Sequence, residues 1–139
     1  MKLSDYNLQE LIANAEKAGA CQDVLNTLKK FSSVVELLKD STPQDLASWA
    51  CWYAIEVIEG RWEEAEPMIA SDPYSAYLYA RFIIEGRWVE AESIIAKDPF
   101  WACYYARDVI KGRWKEAESV ILADQLIAKE HRKFLNKDD

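Results

Sequence analysis

Three glutamate pairs, Glu64/Glu66, Glu90/Glu92 and Glu116/Glu118, recur at a spacing of 26 residues. Closely held carboxylates are the usual means of general acid–base chemistry. Residues two apart on a helix point to opposite sides, so the members of one pair cannot enclose one substrate. Glutamates in the first turn of a helix are favoured by its dipole, which gives them a structural reason to recur. Ahead of each pair stands an Arg-Trp step, at Arg61-Trp62, Arg87-Trp88 and Arg113-Trp114. A stripe of guanidinium and indole groups could stack bases or grip carboxylates. The competing expectation places each Trp in the core at the head of an apolar helix stripe and pairs each Arg with a Glu of a neighbouring unit. His131 is the lone histidine, and no nucleophile or orienting carboxylate accompanies it at a telling spacing. Cys51 and Cys103 share a repeat slot that Tyr77 fills in the middle copy, which marks a packing or surface slot. Gly-rich phosphate loops, zinc spacings and calcium loops are missing from the sequence. The reading is therefore of a chain that is not an enzyme, with no catalytic residue, metal ligand or cofactor site.

The elements that would position these residues follow from the same period. Each Arg-Trp step lies in the phrase Gly-Arg-Trp-x-Glu-Ala-Glu, starting at Gly60, Gly86 and Gly112. A fixed period of this length marks a stacked repeat protein. In the third copy Asp98 is an N-cap and Pro99 the first helical residue. Ala102, Tyr105, Ala106, Val109 and Ile110 then form one helical face. Gly112 is expected to end this helix in the left-handed conformation. Trp114, Ala117, Val120 and Ile121 form the stripe of a second helix. The second copy repeats the plan from Asp72-Pro73, and the first starts four residues earlier, at Thr42-Pro43. Residues 1–41 read as a helical N-terminal module: a helix capped by Ser4 and ending at Gly19, a second around Val24–Leu28, and a third opened by a capping box at Ser33 and Glu36. After Asp124 the pattern turns polar and basic, as a closing helix should. The sequence thus predicts an all-α chain: an α-solenoid of 26-residue two-helix repeats with a helical N-terminal module and a C-terminal capping helix. The expected units are 1–41, then repeats 42–72, 73–98 and 99–124, then a capping helix and frayed tail over 125–139, all in one body.

Bulk properties narrow the function classes. Half of the residues are apolar, yet no apolar run is long enough to span a membrane. The first residues carry no signal-peptide core, and the three cysteines are odd in number and widely spaced. A cytoplasmic protein with reduced thiols is the expectation. The net charge of −7 is concentrated in residues 43–72, which hold 1 positive and 7 negative charges. Such a block disfavours nucleic acid and favours a protein partner with a basic surface.

The phrase Ala-x-x-Tyr-Ala-x-x-(Val/Ile)-Ile-x-Gly-Arg-Trp-x-Glu-Ala-Glu, present three times over residues 47–124, resembles a tandem repeat of uncharacterised proteins encoded by tailed bacteriophages and some bacteria. The segment from Ala18 to Trp49 resembles the module that often precedes such repeats. Many members carry a proline after the Trp, where this chain has Glu63, Val89 and Lys115; that departure bears on how the second helix starts. The resemblance implies a phage-like accessory protein acting inside a bacterial cell, and it carries no activity with it.

Positions where the copies differ are the candidates for recognition. Trp49, Trp52, Leu78, Phe82, Trp101 and Tyr104 flank the core stripe of the first helices and would form a ridge. Aromatic residues of this kind anchor protein interfaces. With Glu56, Glu59, Glu63, Glu64 and Glu66 of the acidic block, they form the expected partner-binding surface. The expected function is a non-enzymatic protein-binding repeat protein that inhibits or redirects a host protein, such as a defence protein. The alternative is sequestration of a nucleotide or other small molecule in a groove lined by Arg61, Arg87 and Arg113 with their tryptophans. Homo-oligomerisation stays open at this stage.

Overall fold

Capping residues decide where most helices begin. In the computed structural model, which describes residues 1–137, the side chains of Asn7, Ser33, Thr42, Asp72, Asp98 and Asp124 each accept a backbone N–H of the first turn that follows. The helices they open are α1 (Leu8–Lys17), α3 (Val34–Asp40), α4 (Pro43–Tyr53), α6 (Pro73–Tyr79), α8 (Pro99–Tyr105) and α10 (Gln125–Lys137). Between them lie α2 (Gln22–Leu28), α5 (Glu66–Ile69), α7 (Val89–Ile95) and α9 (Lys115–Ala123). The described residues contain no strand. Asp138 and Asp139, part of the tail expected to fray, lie outside the described residues.

The first helices lie side by side, α4 against α6, α6 against α8, and α8 against α10. Each also packs on the second helix of its own unit: α4 on α5, α6 on α7 and α8 on α9. Alanines at Ala50, Ala76, Ala102 and Ala128 are buried at corresponding positions, 26 residues apart, and let the first helices approach closely. One hydrophobic core runs from Leu8 to Ile121. The N-terminal helices join it where the Trp62 indole N–H donates to the Tyr6 hydroxyl at 3.0 Å, and the Asn14 amide to the Tyr53 hydroxyl at 3.3 Å.

Several details depart from the sequence reading. Ser4 does not cap α1; it lies in a 3-10 turn (Leu3–Asp5), and Asn7 takes the role. Glu36 reaches the N–H of Ser32 rather than of Ser33. The second helix of the first unit is divided into a 3-10 turn (Glu63–Ala65) and the short α5. Pro67 accounts for this, since it has no N–H to bond back to Glu63, whereas Ser93 and Ser119 stand at the matching places in α7 and α9.

The largest departure is at the ends of the first helices. Each opens into a π-helical turn, at Ala54–Ile58, Ala80–Ile84 and Ala106–Ile110. A π turn holds more residues than an α turn, so the apolar stripe rotates outward and Val57, Ile58, Ile83, Ile84, Val109 and Ile110 are not fully buried. The residue that closes the turn is not the glycine. Glu59, Glu85 and Lys111 take φ of 56°, 58° and 62°, and the glycines that follow them have no positive φ. The N–H of Glu59 and that of Glu85 each reach back five residues, to Ala54 and Ala80, at 2.8 Å. A Cβ added at Gly60, Gly86 or Gly112 meets nothing within 4 Å, and nothing in the structure explains why glycine recurs there.

This geometry makes a prediction opposite to the one the Gly-Arg-Trp phrase suggests. Glu85→Gly should raise stability by about 1 kcal/mol by relieving the left-handed strain of a residue with a Cβ. Gly86→Ala should change it by less than about 0.5 kcal/mol, because the site is open and its φ is ordinary. Urea melts of the two variants check this; a strongly destabilised Gly86→Ala would show that the glycine holds the strained position.

Candidate protein-interaction face

The repeated polar residues form a relay between successive units. Arg61 grips Glu66 with two hydrogen bonds, Nε to Oε2 at 2.8 Å and a terminal nitrogen to Oε1 at 2.7 Å. The Tyr79 hydroxyl of the next unit donates to Glu66 Oε2 at 2.6 Å and accepts the buried N–H of Trp62 at 2.9 Å. Arg87, Glu92, Tyr105 and Trp88 repeat the arrangement, with hydroxyl bonds of 2.7 and 2.8 Å. Each arginine thus pairs with a glutamate of its own unit, not of a neighbour, and the neighbour supplies the tyrosine. The Arg61 bonds hold the Glu66 carboxyl below the ordinary carboxylate range, against the opposing effect of burial, and Arg87 does the same for Glu92. Trp62, Trp88 and Trp114 are buried.

The third relay is incomplete. His131 occupies the slot of Tyr79 and Tyr105, is fully buried, and has no partner for Nε2. Its Nδ1 lies 3.9 Å from Cys103 Sγ. Arg113 and Glu118 are farther apart, at 3.6 Å. Burial lowers the His131 pKa from 6.5; Glu118 opposes the shift and Arg113 adds to it. Burial likewise keeps the Cys51 thiol protonated, its pKa pushed up to about 12. Among the described residues no cluster of His, Cys, Asp or Glu is arranged to hold a metal ion.

The face that remains free is made by the first helices. Ser48, Trp52 and Glu56 run along α4 and its π turn at helical spacing. Tyr74, Leu78 and Phe82 hold the matching places one unit on, and Phe100, Tyr104 and Asp108 two units on. Phe82 is 50% exposed, Tyr74 44% and Phe100 41%. Tyr74 stacks on Trp101 with ring centroids 4.4 Å apart, and Phe100 lies 4.8 Å from Tyr104. Two clefts open on this side. One of about 640 Å³ is lined by Val24, Leu28, Leu46, Trp49 and Trp52, among others. Another, of about 440 Å³, includes Trp52, Glu56, Tyr74, Leu78 and Phe82.

The predicted ridge residues therefore come together in part. Trp52, Glu56, Leu78 and Phe82 share a cleft, and Trp49 joins through the larger one while its ring packs inward on Tyr53 and Trp62 at 5.4 and 5.9 Å. Trp101 and Tyr104 connect through Tyr74, which the sequence reading overlooked. The column Ser48/Tyr74/Phe100 carried the missing signal, because it lies four residues ahead of Trp52/Leu78/Tyr104 in every unit. Also overlooked were Arg81 and Arg107. Arg107 lies 4.1 Å over the Tyr104 ring and Arg81 4.9 Å over Phe82, and both reach Asp108, which the Tyr77 hydroxyl also meets. Glu59 and Glu63 are exposed and Glu64 is half-buried. No hydrogen bond or ion pair among the described residues ties up the side chains of Glu56, Glu59, Glu63 or Glu64, whereas Glu66 is bound to Arg61. None of the clefts just described, nor the two others at Pro99/Asp124 and Gln9/Phe31, is lined by Arg61, Arg87 or Arg113.

Two predictions follow from the relay. Tyr105→Phe leaves the buried Trp88 N–H without an acceptor and should cost about 1–3 kcal/mol; chemical denaturation reads this, and a loss below about 0.5 kcal/mol would mean that water reaches the N–H. His131→Tyr supplies the missing hydroxyl and should stabilise by about 1 kcal/mol. Its pH signature is separate. A histidine whose folded pKa lies below its unfolded value contributes stability present above pH 6.5 and lost as pH falls. His131→Tyr should flatten that slope below pH 6.5. The further fall below about pH 4.5, where Glu66 and Glu92 take up protons, should persist. An unchanged slope below pH 6.5 would exclude His131 as its source.

Comparison of the chain with protein-family models, with curated proteins and with solved structures finds no match.

Proposed function

We propose that the chain is an α-solenoid of 26-residue two-helix units that works as a non-enzymatic protein-binding module. The observation that carries the reading is the aromatic surface made by the exposed Tyr74, Phe82 and Phe100, with Trp52 half-buried beside them, in the columns where successive units differ. Side-by-side packing of α4, α6, α8 and α10, and a relay that recurs with the 26-residue period, support the solenoid. Exposed aromatic groups that do not serve the core are the usual anchors of a protein interface. The free carboxylates of Glu56, Glu59, Glu63 and Glu64 favour a partner with a basic surface. On the resemblance of the repeat phrase to phage-encoded proteins, the partner is a host protein inside a bacterial cell, inhibited or redirected by occupation of that surface. The nucleotide-sequestering alternative is weakened, since Arg61 and Arg87 spend their guanidinium groups on Glu66 and Glu92.

The test is capture of partners from a bacterial lysate on the tagged protein, alongside two variants that should fold normally. Phe82→Asp removes an aromatic anchor, and Glu59→Lys/Glu63→Lys/Glu64→Lys reverses the acidic group. A single protein retained by the parent at low salt, released at high salt and lost from both variants is the expected outcome. Retention unchanged in both variants would sink this surface, and a co-purifying nucleotide released by Arg87→Ala would favour sequestration.

A further inference from the structure

The two clefts adjoin. Ser48 and Trp52, both on α4, line both, so the space between α2 and α4 and the space between α4 and α6 meet at these residues and offer one groove in two parts. Its floor is apolar: Val24 and Leu28 at one end, Trp49 and Trp52 in the middle, Leu78 and Phe82 at the other. Its charged lining is of one sign. Asp23, Asp45 and Glu56 are all exposed, all without an ion-pair partner among the described residues, and neither cleft is lined by a lysine or arginine. The nearest cation along the chain at the Phe82 end, Arg81, is drawn to Asp108 at 3.6 Å.

Resting on the protein-binding reading, we propose that this groove takes a short amphipathic helix of the partner, with apolar anchors on one face and lysines or arginines beside them. Charge complementarity fixes the sign, because an acidic or neutral segment would leave three carboxylates facing like charge or nothing. Length follows from the span. α4 and α6 pack with axes about 8–10 Å apart, and α2 stands across the larger cleft from α4, so the span from α2 to α6 is at least about 20 Å. That length matches about 13 residues of α-helix. An extended segment is a poorer fit, since strand addition needs a sheet edge and the described residues have no strand. Anchors at i and i+7 of a helix would reach down on either side of Trp52, one into each cleft.

The probe is a fluorescein-labelled synthetic helix of about 13 residues, with leucine and phenylalanine at the anchor positions and lysines on the flanks. It is titrated into the full-length protein and followed by anisotropy. Two control peptides replace the lysines with glutamates, or the anchors with alanines. The basic amphipathic peptide should bind, and each control should bind at least about tenfold more weakly. Asp45→Lys/Glu56→Lys should weaken the basic peptide by a similar factor and strengthen the glutamate peptide, while the protein stays folded with only the small loss of stability that a lysine in the first turn of α4 brings. Equal binding of the lysine and glutamate peptides would overturn the proposal, as would binding indifferent to Asp45→Lys/Glu56→Lys. No binding of any peptide would also overturn it. A protein that sediments as a dimer, broken by Phe82→Asp, would give the groove to a second copy and overturn it too. A captured partner that the basic peptide does not displace would remove the groove but leave the protein-binding reading intact. A peptide that binds where the lysate yields no partner would do the reverse.

Discussion

Everything in this fold turns on a hydroxyl that one unit lends to the unit before it. The N–H of Trp62 and that of Trp88 are buried beyond the reach of their own helices, and a buried backbone donor without a partner is costly. Tyr79 and Tyr105 supply the acceptor and donate their own O–H to Glu66 and Glu92, which Arg61 and Arg87 hold in place. The relay ties second-helix entry, first-helix position and unit spacing into a single condition. A unit shifted by one residue would lose the N–H contact and the carboxylate contact together. That is a physical reason for the strict 26-residue period, and it comes before any question of surface.

The π turns serve the same condition. Each first helix must deliver its tyrosine to the previous unit and then turn the chain so that the Arg-Trp step of its own unit meets the next. Widening the last turn brings the N–H of Glu59, Glu85 and Lys111 onto carbonyls five residues back and leaves these residues in the left-handed region. The strain falls on residues with side chains, while the glycines beside them are unstrained. The ends of the stack meet the condition differently. Tyr53 finds Asn14 in the N-terminal helices, whereas His131 puts a ring with an unpaired nitrogen where a hydroxyl belongs. The C-terminal junction thus carries an imidazole where the two before it carry a phenol.

Much of this was legible in the sequence, and what was not has definable causes. Caps at Ser33, Thr42, Asp72 and Asp98 stand in the structure where their residue types place them, because a cap is a local bond. The paired apolar positions of each unit are buried as far as Ala54, Ala80 and Ala106, then slip, because helical periodicity assumes an α-helix and the π turn breaks the phase. Gly60, Gly86 and Gly112 pointed to the right turn but the wrong residue. The partner of each arginine was misplaced because residues five apart do not share a helix face, and the bend that joins them leaves no helical spacing to read. On the candidate face, Trp52, Leu78 and Phe82 were visible as apolar residues outside the core stripe. Tyr74 was passed over because it sits in the first turn of α6, where a capping reading was sufficient, and its stacking on Trp101 depends on the spacing between units.

The division between repeated and unrepeated residues separates stability from recognition more cleanly than charge or hydropathy does. Arginine, glutamate and tyrosine would be read on a surface as binding groups, yet Arg61, Glu66 and Tyr79, and again Arg87, Glu92 and Tyr105, are taken up by one another. Recurrence alone does not decide this for the glutamates, since Glu64 recurs as Glu90 and Glu116 and is bonded to neither Arg61 nor Tyr79, whereas Glu66 is bonded to both. The aromatics do sort by recurrence. Tyr53, Tyr79 and Tyr105 recur and are buried, while Trp52, Leu78 and Tyr104 share one column, differ in kind, and remain partly exposed. What successive units share holds them to one another, and the columns in which they differ are freer to answer to something outside the chain. In this protein those columns lie on the first helices, and the carboxylates of Asp23, Asp45 and Glu56, without an ion-pair partner among the described residues, line the two clefts beside them.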